Sequence, residues 1–232
     1  MTIAVIPSFN EEKNISSVVR KTKKYVNKVI VVDDGSKDKT GKFARRAGAI
    51  VLTHRINLGV GATNKTGCEA ALKLKADIII TLDGDGQHNP KEIPKMIKKI
   101  KEGYDIVFGA RIKKRKKMPL LRKLGNRLSS NLQNFLFKSK LSDVQSGYRC
   151  FTKSAYKKIR WETSGYNVEN EIIINVVKNN LRYCEIPIDT VYNDAYKGIS
   201  PVDGFKILLF MVCEYLGRKH EDKADRERHP LS

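Results

Sequence analysis

The chain has 232 residues, with 45 Lys or Arg against 25 Asp or Glu, a formal charge of +20 and 41% hydrophobic side chains. Apolar runs such as Val29-Ile30-Val31-Val32 and Ile78-Ile79-Ile80 recur between the charges, which excludes disorder along the whole length and fits one folded domain with a real core. The charge implies an anionic partner (a phosphate-bearing substrate, a nucleic acid or an acidic membrane surface) without specifying a fold.

In chain order, the first 110 residues predict strands near 2–6, 28–33, 49–53, 77–82 and 104–109, with helices near 11–26, 39–47, 62–75 and 90–102. Pro7 is expected to stop the first strand. In the first helix Ile15, Val18, Val19, Thr22 and Val26 share a face, with Asn10 as the expected cap. Asn89-Pro90 starts a later helix that Gly103 ends. Strands that are apolar throughout, rather than alternating, indicate an α/β fold: a mostly parallel sheet covered by helices on both faces. In such a sheet ligands bind beyond the carboxyl ends of the strands.

After residue 110 the alternation is lost. A basic stretch from Arg111 to Arg127 is followed by Asp143 to Phe151, a helix near 168–179, a strand near 181–188 and an apolar segment at 205–216. That segment is too short to span a bilayer but suits a helix lying on a membrane surface or packed on protein. The final residues, 220–232, are charged without an apolar face and are expected to be solvated. Cys68, Cys150, Cys184 and Cys213 form no CxxC pair and are expected as buried free thiols. The chain starts directly on an apolar strand, with no charged region and longer apolar core of a secretory signal, so cytoplasmic residence is expected.

Unusual residues collect at strand ends: Pro7-Ser8-Phe9-Asn10-Glu11, Asp33-Asp34-Gly35-Ser36 and Asp83-Gly84-Asp85-Gly86-Gln87-His88. All three should lie on one edge. Asp83 and Asp85, two residues apart, can put two hard oxygen ligands on one Mg²⁺ or Mn²⁺, and Gln87 can add a neutral oxygen. Such ions also bind substrate phosphates, so a diphosphate would complete the site.

The segments PSFNE at 7–11, VVDDGSKDKT at 31–40, NLGVGAT at 57–63 and DGDGQHNP at 83–90 resemble the ordered motifs of family-two inverting glycosyltransferases of the GT-A (Rossmann-like) fold. Within that family the chain is most similar to polyprenyl-phosphate sugar synthases of the dolichyl-phosphate mannose synthase type, over about residues 1–200. The resemblance implies a GT-A domain at 1–200, with the apolar helix at 201–219 and the tail at 220–232 outside it. It also implies nucleotide contacts at Pro7, Phe9, Glu11, Val32 and Asp34, donor contacts at Asp83 and Gly84, and metal ligation by Asp85 and Gln87. Arg111 and Arg122 match basic positions near the donor and acceptor phosphates, where a planar guanidinium can grip oxygens bidentately. Asp143-Val144-Gln145-Ser146-Gly147-Tyr148-Arg149 matches the D-x-x-SG-[FY]-R segment and places Arg149 near the sugar or in an ion pair. One departure concerns the donor: the family's Arg and Lys that flank a Gly-x-Ser are here Ala195 and Pro201, and Lys197 or Lys206 would have to substitute.

The implied reaction is metal-dependent transfer, with inversion, of a sugar from GDP-mannose or a UDP-sugar to polyprenyl (dolichyl) phosphate. The expected partners are the nucleotide sugar, the lipid phosphate and an anionic membrane surface on the cytoplasmic face, reached peripherally or through a separate membrane partner. Transfer to a hydroxyl of a glycan or lipid is a second reading; it would need a carboxylate base, for which Asp143, Glu169 and Glu171 are the candidates. A nucleic-acid-binding module is the third. Its basic run, Arg111 to Lys117, contains no aromatic residue, and no nucleic-acid partner is expected.

Overall fold

A computed structural model describes residues 1–111, 120–165, 167–190 and 208–217, with the backbone alone for residues 120–127 and 129. Seven strands form one sheet in the order β3-β2-β1-β4-β6-β5-β7. They are β1 (Thr2–Ser8), β2 (Lys28–Asp33), β3 (Ile50–Thr53), β4 (Ile78–Thr81), β5 (Ile106–Ala110), β6 (Arg149–Thr152) and β7 (Tyr183–Pro187). Only β6 runs antiparallel, wedged between β4 and β5. The helices are α1 (Ile15–Thr22), α2 (Thr40–Arg46), α3 (Val60–Lys73), α4 (Ile93–Lys101), α5 (Leu120–Phe137), α6 (Lys153–Ile159), α7 (Val168–Lys178) and a last helix, α8, at 208–217.

The apolar strands are explained by burial on both faces. Ile3, Val5, Ile30, Val32, Ile79 and Phe108 point into one core, which α3, α6 and α7 cover. Ala4, Ile6, Val29, Val31, Ile80 and Val107 point into the other, under α1, α2 and α4. From β1 the chain steps outward to β2 and β3, then returns to place β4 on the other side of β1. That reversal puts the topological switch point of the sheet between β1 and β4, and in sheets of this kind ligands bind beyond the carboxyl ends of the strands there.

Several expectations are corrected. β1 does not stop at Pro7: it continues to Ser8, with Pro7 beside Val32 in the parallel ladder. Asn10 does not cap α1, which begins at Ile15 without a side-chain cap; its backbone has φ 55° and it is tied instead to the loop after β2. The basic stretch runs into a helix, α5, and the chain adds a strand, β6, and a helix, α6, beyond the expected elements. Of the four thiols, Cys68 and Cys150 are buried, Cys184 is half-buried and Cys213 is exposed. Asn89 does cap the turn at Pro90–Glu92, accepting from the Lys91 N–H (3.1 Å), and Gly103 ends α4 at φ 93°. The expected charged tail at 220–232, with Ala195, Lys197, Pro201, Phe205 and Lys206, lies outside the described residues.

Candidate active site

Three parallel strands, β1, β2 and β4, deliver their following loops to one edge, and hydrogen bonds lace the first two together. The Asp34 N–H donates to the Ser8 carbonyl (2.9 Å), and the Asn10 N–H donates to Ser36 Oγ (2.9 Å). Asn10 Oδ1 accepts from the Lys37 N–H (2.9 Å), and the Glu11 N–H donates to Thr40 Oγ1 (2.7 Å). The acidic turn after β4 packs directly on the end of β1. A Cβ on Gly84 would fall 2.4 Å from Ser8 Oγ, so only glycine lets the turn approach this closely.

Asp83 and Asp85 stand on that turn with Gly84 between them. Asp85 Oδ1 accepts from the Gln87 N–H (2.9 Å) and Oδ2 from Gln87 Nε2 (2.7 Å). Burial and the neighbouring Asp83 charge push the Asp85 carboxyl up to about 6, with Glu11 adding to the repulsion. Burial likewise raises Asp83, against the pull of Arg111 and Arg149. Two hard carboxylates that repel each other, with an amide side chain beside them, fit a small divalent cation whose remaining positions are filled by water and phosphate. Among the described residues no three His, Cys, Asp or Glu side chains are grouped so as to hold a metal by themselves.

The raised Asp85 value has a consequence for stability. The folded state holds this proton more tightly than the unfolded chain, whose carboxyl titrates near 3.8, so folding is penalised as pH rises from about 4 to 6 and the full penalty applies at neutrality. In EDTA at pH 7, Asp85→Asn is therefore expected to be more stable than the parent by about 1 kcal/mol, or about 2–4 °C in Tm. The gain should vanish near pH 4. A variant that melts below the parent at pH 7 would show that the carboxylate is well solvated.

His88 supports the turn from below. It is buried, its Nδ1 accepts from the Asp83 N–H (3.2 Å), and its ring stacks on Tyr148 with centroids 5.0 Å apart. Burial lowers its pKa to about 4, so at neutral pH it carries no charge and holds its proton on Nε2. The Tyr148 hydroxyl in turn donates to the Asn89 carbonyl (3.1 Å), and the His88 backbone bridges to Thr190. Behind Asp83, a Cβ on Gly147 would come 2.9 Å from its Oδ1, so the Ser146-Gly147 step also presses against the acidic turn.

The basic residues are held by carboxylates of their own. Asp143 grips Arg111 three times, Oδ2 accepting from the backbone N–H (3.0 Å) and Nε (2.7 Å) and Oδ1 from Nη2 (2.8 Å). Glu185, on β7, receives the N–H groups of Ser142 and Asp143 and so fixes the loop that carries this clamp. Arg149 lies buried at the start of β6 with its guanidinium over the Phe108 ring (5.9 Å), and pairs with Glu169 at the start of α7. Burial lowers its pKa to about 10, which leaves it charged at neutrality.

The positions that the resemblance assigns to the nucleotide divide. Phe9 is exposed at the edge, Glu11 accepts from Asn14 Nδ2 (3.0 Å), and Pro7 is buried at the end of β1. The Val32 side chain lies wholly in the core, so only its backbone can face a ligand. Asp34 is buried and heavily used: Oδ1 meets His54 Nδ1 (2.7 Å) and the Leu58 N–H (3.0 Å), and Oδ2 accepts from the Gly59 N–H (2.9 Å). His54 Nε2 continues the chain to Thr66 Oγ1 (3.0 Å) on α3. Gly61, in NLGVGAT, accepts from Trp161 Nε1 and donates to the Ser164 carbonyl, and a Cβ there would meet the Thr163 carbonyl oxygen at 2.1 Å. Its glycine thus serves chain packing over the start of α3.

The structure brings together Pro7, Phe9, Glu11, Asp34, Asp83, Gly84, Asp85, Gln87, Arg111 and Arg149 at the carboxyl edge. The Arg122 side chain and Lys197 fall outside the described part. Sequence reasoning missed His54, Glu185 and Tyr148 as supports, and named Asp143 and Glu169 only as candidate bases. Two surface clefts, one of about 300 Å³ at Asp77, Lys153 and Lys157 and one of about 430 Å³ at Asn131, Asn134 and Lys140, are lined by none of the acidic-turn residues.

Comparison with known proteins agrees with this geometry. A UDP-N-acetylglucosamine–dolichyl-phosphate N-acetylglucosaminyltransferase of Methanococcus voltae is 35% identical, over 92% of this chain and 96% of that one. A polyprenol monophosphomannose synthase of Mycolicibacterium smegmatis is 26% identical over 96% and 89%. The solved structure of glucosyl-3-phosphoglycerate synthase from Mycobacterium tuberculosis, with Mg²⁺ and uridine diphosphate, superposes with a TM-score of 0.74 at 18% identity, covering 94% of this chain and 79% of that chain. That likeness establishes the GT-A fold expected from the motifs. The model "Glycosyl transferase family 2" matches residues 3–160, spanning β1 to α6 with all three loops of the acidic edge, and the chain belongs to this family of glycosyltransferases.

Proposed function

We propose that the chain transfers a sugar, with inversion, from a nucleoside-diphosphate sugar to a polyprenyl phosphate of the dolichyl type, giving a lipid-linked monosaccharide. The observation that carries this reading is the convergence of the loops after β1, β2 and β4 on the Asp83-Gly84-Asp85 turn. The acceptor class is supported by the names of the two relatives. A UDP-sugar is favoured over GDP-mannose, because the relative named for a UDP-sugar is the more similar and because Ala195 and Pro201 replace the charged pair of the mannose synthase pattern.

In the reaction a phosphate oxygen of the acceptor attacks the anomeric carbon from the face opposite the diphosphate. The anomeric C–O bond breaks, and the nucleoside diphosphate leaves with the electron pair. A phosphate monoester is largely dianionic at pH 7, so no strong general base is needed. The carboxylates that a hydroxyl acceptor would call on are engaged elsewhere: Asp143 by Arg111, Glu169 by Arg149, and Glu171 by the N–H groups of Glu162 and Thr163. Asp83, Asp85 and Gln87 would hold Mg²⁺ or Mn²⁺, which when bound supplies positive charge for the departing diphosphate. Phe9 offers an exposed ring to the base, Arg111 and Arg122 orient phosphate oxygens, and Arg149 and Lys197 contact the donor.

The test incubates purified protein with polyprenyl phosphate and a panel of UDP- and GDP-sugars, with and without EDTA. Lipid-linked sugar from one UDP-sugar, abolished by EDTA, is the expected result, and transfer only to a free glycan would overturn the acceptor. Arg122→Ala is expected to raise the acceptor KM by about tenfold or more while nucleotide affinity by calorimetry stays within about twofold. The reverse pattern would exchange its side of the site. In this reading the enzyme meets the lipid phosphate peripherally, at the cytoplasmic face. Among the described residues no helix is long and apolar enough to cross a membrane.

A further inference from the structure

A carboxylate offers about four acceptor positions, two on each oxygen. On Asp34 the protein itself takes three of them: Oδ1 accepts from His54 Nδ1 (2.7 Å) and the Leu58 N–H (3.0 Å), which fills it, and Oδ2 accepts from the Gly59 N–H (2.9 Å). One position on Oδ2 is left. The side chain is 5% exposed, so the carboxylate is nearly closed but not sealed.

His54 fills its share of Oδ1 from a fixed tautomer. A bare lone pair on Nδ1 would be repelled by a carboxylate at 2.7 Å, so the proton lies on Nδ1 and Nε2 accepts from the Thr66 hydroxyl (3.0 Å) on α3. The backbone is tied down as well, the His54 N–H donating to the Asp33 carbonyl (2.9 Å). With the ring only 11% exposed and bonded at both nitrogens, its place against Asp34 is set by the fold.

What the open position takes follows from its neighbours and its chemistry. The Asp34 N–H donates to the carbonyl of Ser8, the residue before the exposed Phe9, so Asp34 adjoins the residue whose ring is offered to the base. An ionised carboxylate only accepts, which sets it against phosphate oxygens and toward an N–H. The edge of uracil carries one N–H between two carbonyls. The matching edge of guanine carries N–H groups on N1 and N2 and grips a carboxylate with one on each oxygen, but Oδ1 of Asp34 has no position for the second. We propose that His54 sets the choice of base through Asp34: by filling Oδ1 together with the Leu58 N–H, it limits the carboxylate to one N–H of the donor, which admits uracil and leaves a guanine N–H without an acceptor. His54 touches no part of the donor and acts as a positioning residue. The inference rests on the nucleoside-diphosphate-sugar reading and gives the preference for a UDP-sugar a cause independent of Ala195 and Pro201.

The test is calorimetry of the full chain with UDP and with GDP, in Mn²⁺ and without acceptor, so that its outcome does not depend on transfer. The parent is expected to bind UDP about tenfold or more tightly than GDP. His54→Leu, which returns a lone pair to Oδ1, should bring the two affinities within about threefold, with GDP binding more tightly than it does to the parent. His54→Asn, whose amide N–H can stand where the Nδ1 proton stood, should keep the parent's ratio. A variant that only loosened the loop would weaken both nucleotides alike, and the parent and Asn ratios test the proposal even where the Leu variant melts below the assay temperature. A parent that binds GDP as well as UDP, or a ratio that His54→Leu leaves unchanged, would overturn the proposal; the second result would give the open position to a ribose hydroxyl. The expected pattern without any transfer to polyprenyl phosphate would leave the role of His54 standing and remove the proposed acceptor. Binding of neither nucleotide would remove both.

Discussion

Asp85→Ala is expected to lower transfer by about 10³-fold or more, about 4 kcal/mol of transition-state stabilisation, at saturating Mg²⁺ or Mn²⁺. The fold should survive. Asp85 lies on a turn rather than in a core, its side-chain partners are the backbone and amide of Gln87, and its charge opposes folding rather than favouring it. The loss should therefore fall on activity while circular dichroism and the metal-free melting temperature stay at or slightly above the parent. Calorimetry sharpens the test, because the variant should lose metal-dependent nucleotide affinity. Turnover within about threefold of the parent would remove Asp85 from the mechanism.

The part of the molecule that was legible in the sequence is the part whose structure is local or repeats. β1, β2 and β4 are apolar throughout because both faces are buried, and the loops that follow them carry the Gly, Asp and Asn that such turns require. Their shared edge follows from parallel order alone. What escaped depends on distant pairing. β6 is four residues, Arg-Cys-Phe-Thr, and exists because Ile78–Thr81 and Ile106–Phe108 offer ladders on both sides. No period announces a strand that short. In α5 the charges conceal the apolar spacing of Leu120, Leu121, Leu124, Leu128 and Leu132. The two Arg residues were found by motif, yet their partners lie 32 and 20 positions away in the sequence, where neither helical nor strand spacing links them. Asp34 shows the opposite failure. A motif assigns it to a nucleotide, while its oxygens also organise the turn into α3 through Leu58, Gly59 and His54.

Glu169→Ala is expected to produce the largest loss of stability. Arg149 is buried with its guanidinium over the Phe108 ring and remains charged, and Glu169 is the carboxylate that pairs with it. Removing one partner of a buried pair costs about 3–5 kcal/mol, and because Asp83 and Asp143 also attract Arg149 the loss here is expected at the lower end, about 3 kcal/mol. For a chain of this size that corresponds to about 10 °C in Tm. The pair as a whole contributes far less than either half, because its attraction only offsets the desolvation of both groups. Replacing both, Arg149→Met with Glu169→Leu, should therefore recover most of the stability that the single change loses. This cycle separates packing from chemistry. If Arg149 also contacts the donor sugar, as the D-x-x-SG-[FY]-R match implies, the stable double variant should still transfer about tenfold more slowly or worse, with the loss in kcat/KM for the donor. A double variant that is stable and turns over like the parent would confine Arg149 to holding β6 against α7, and would leave Arg111 as the one arginine of the described site facing the phosphates.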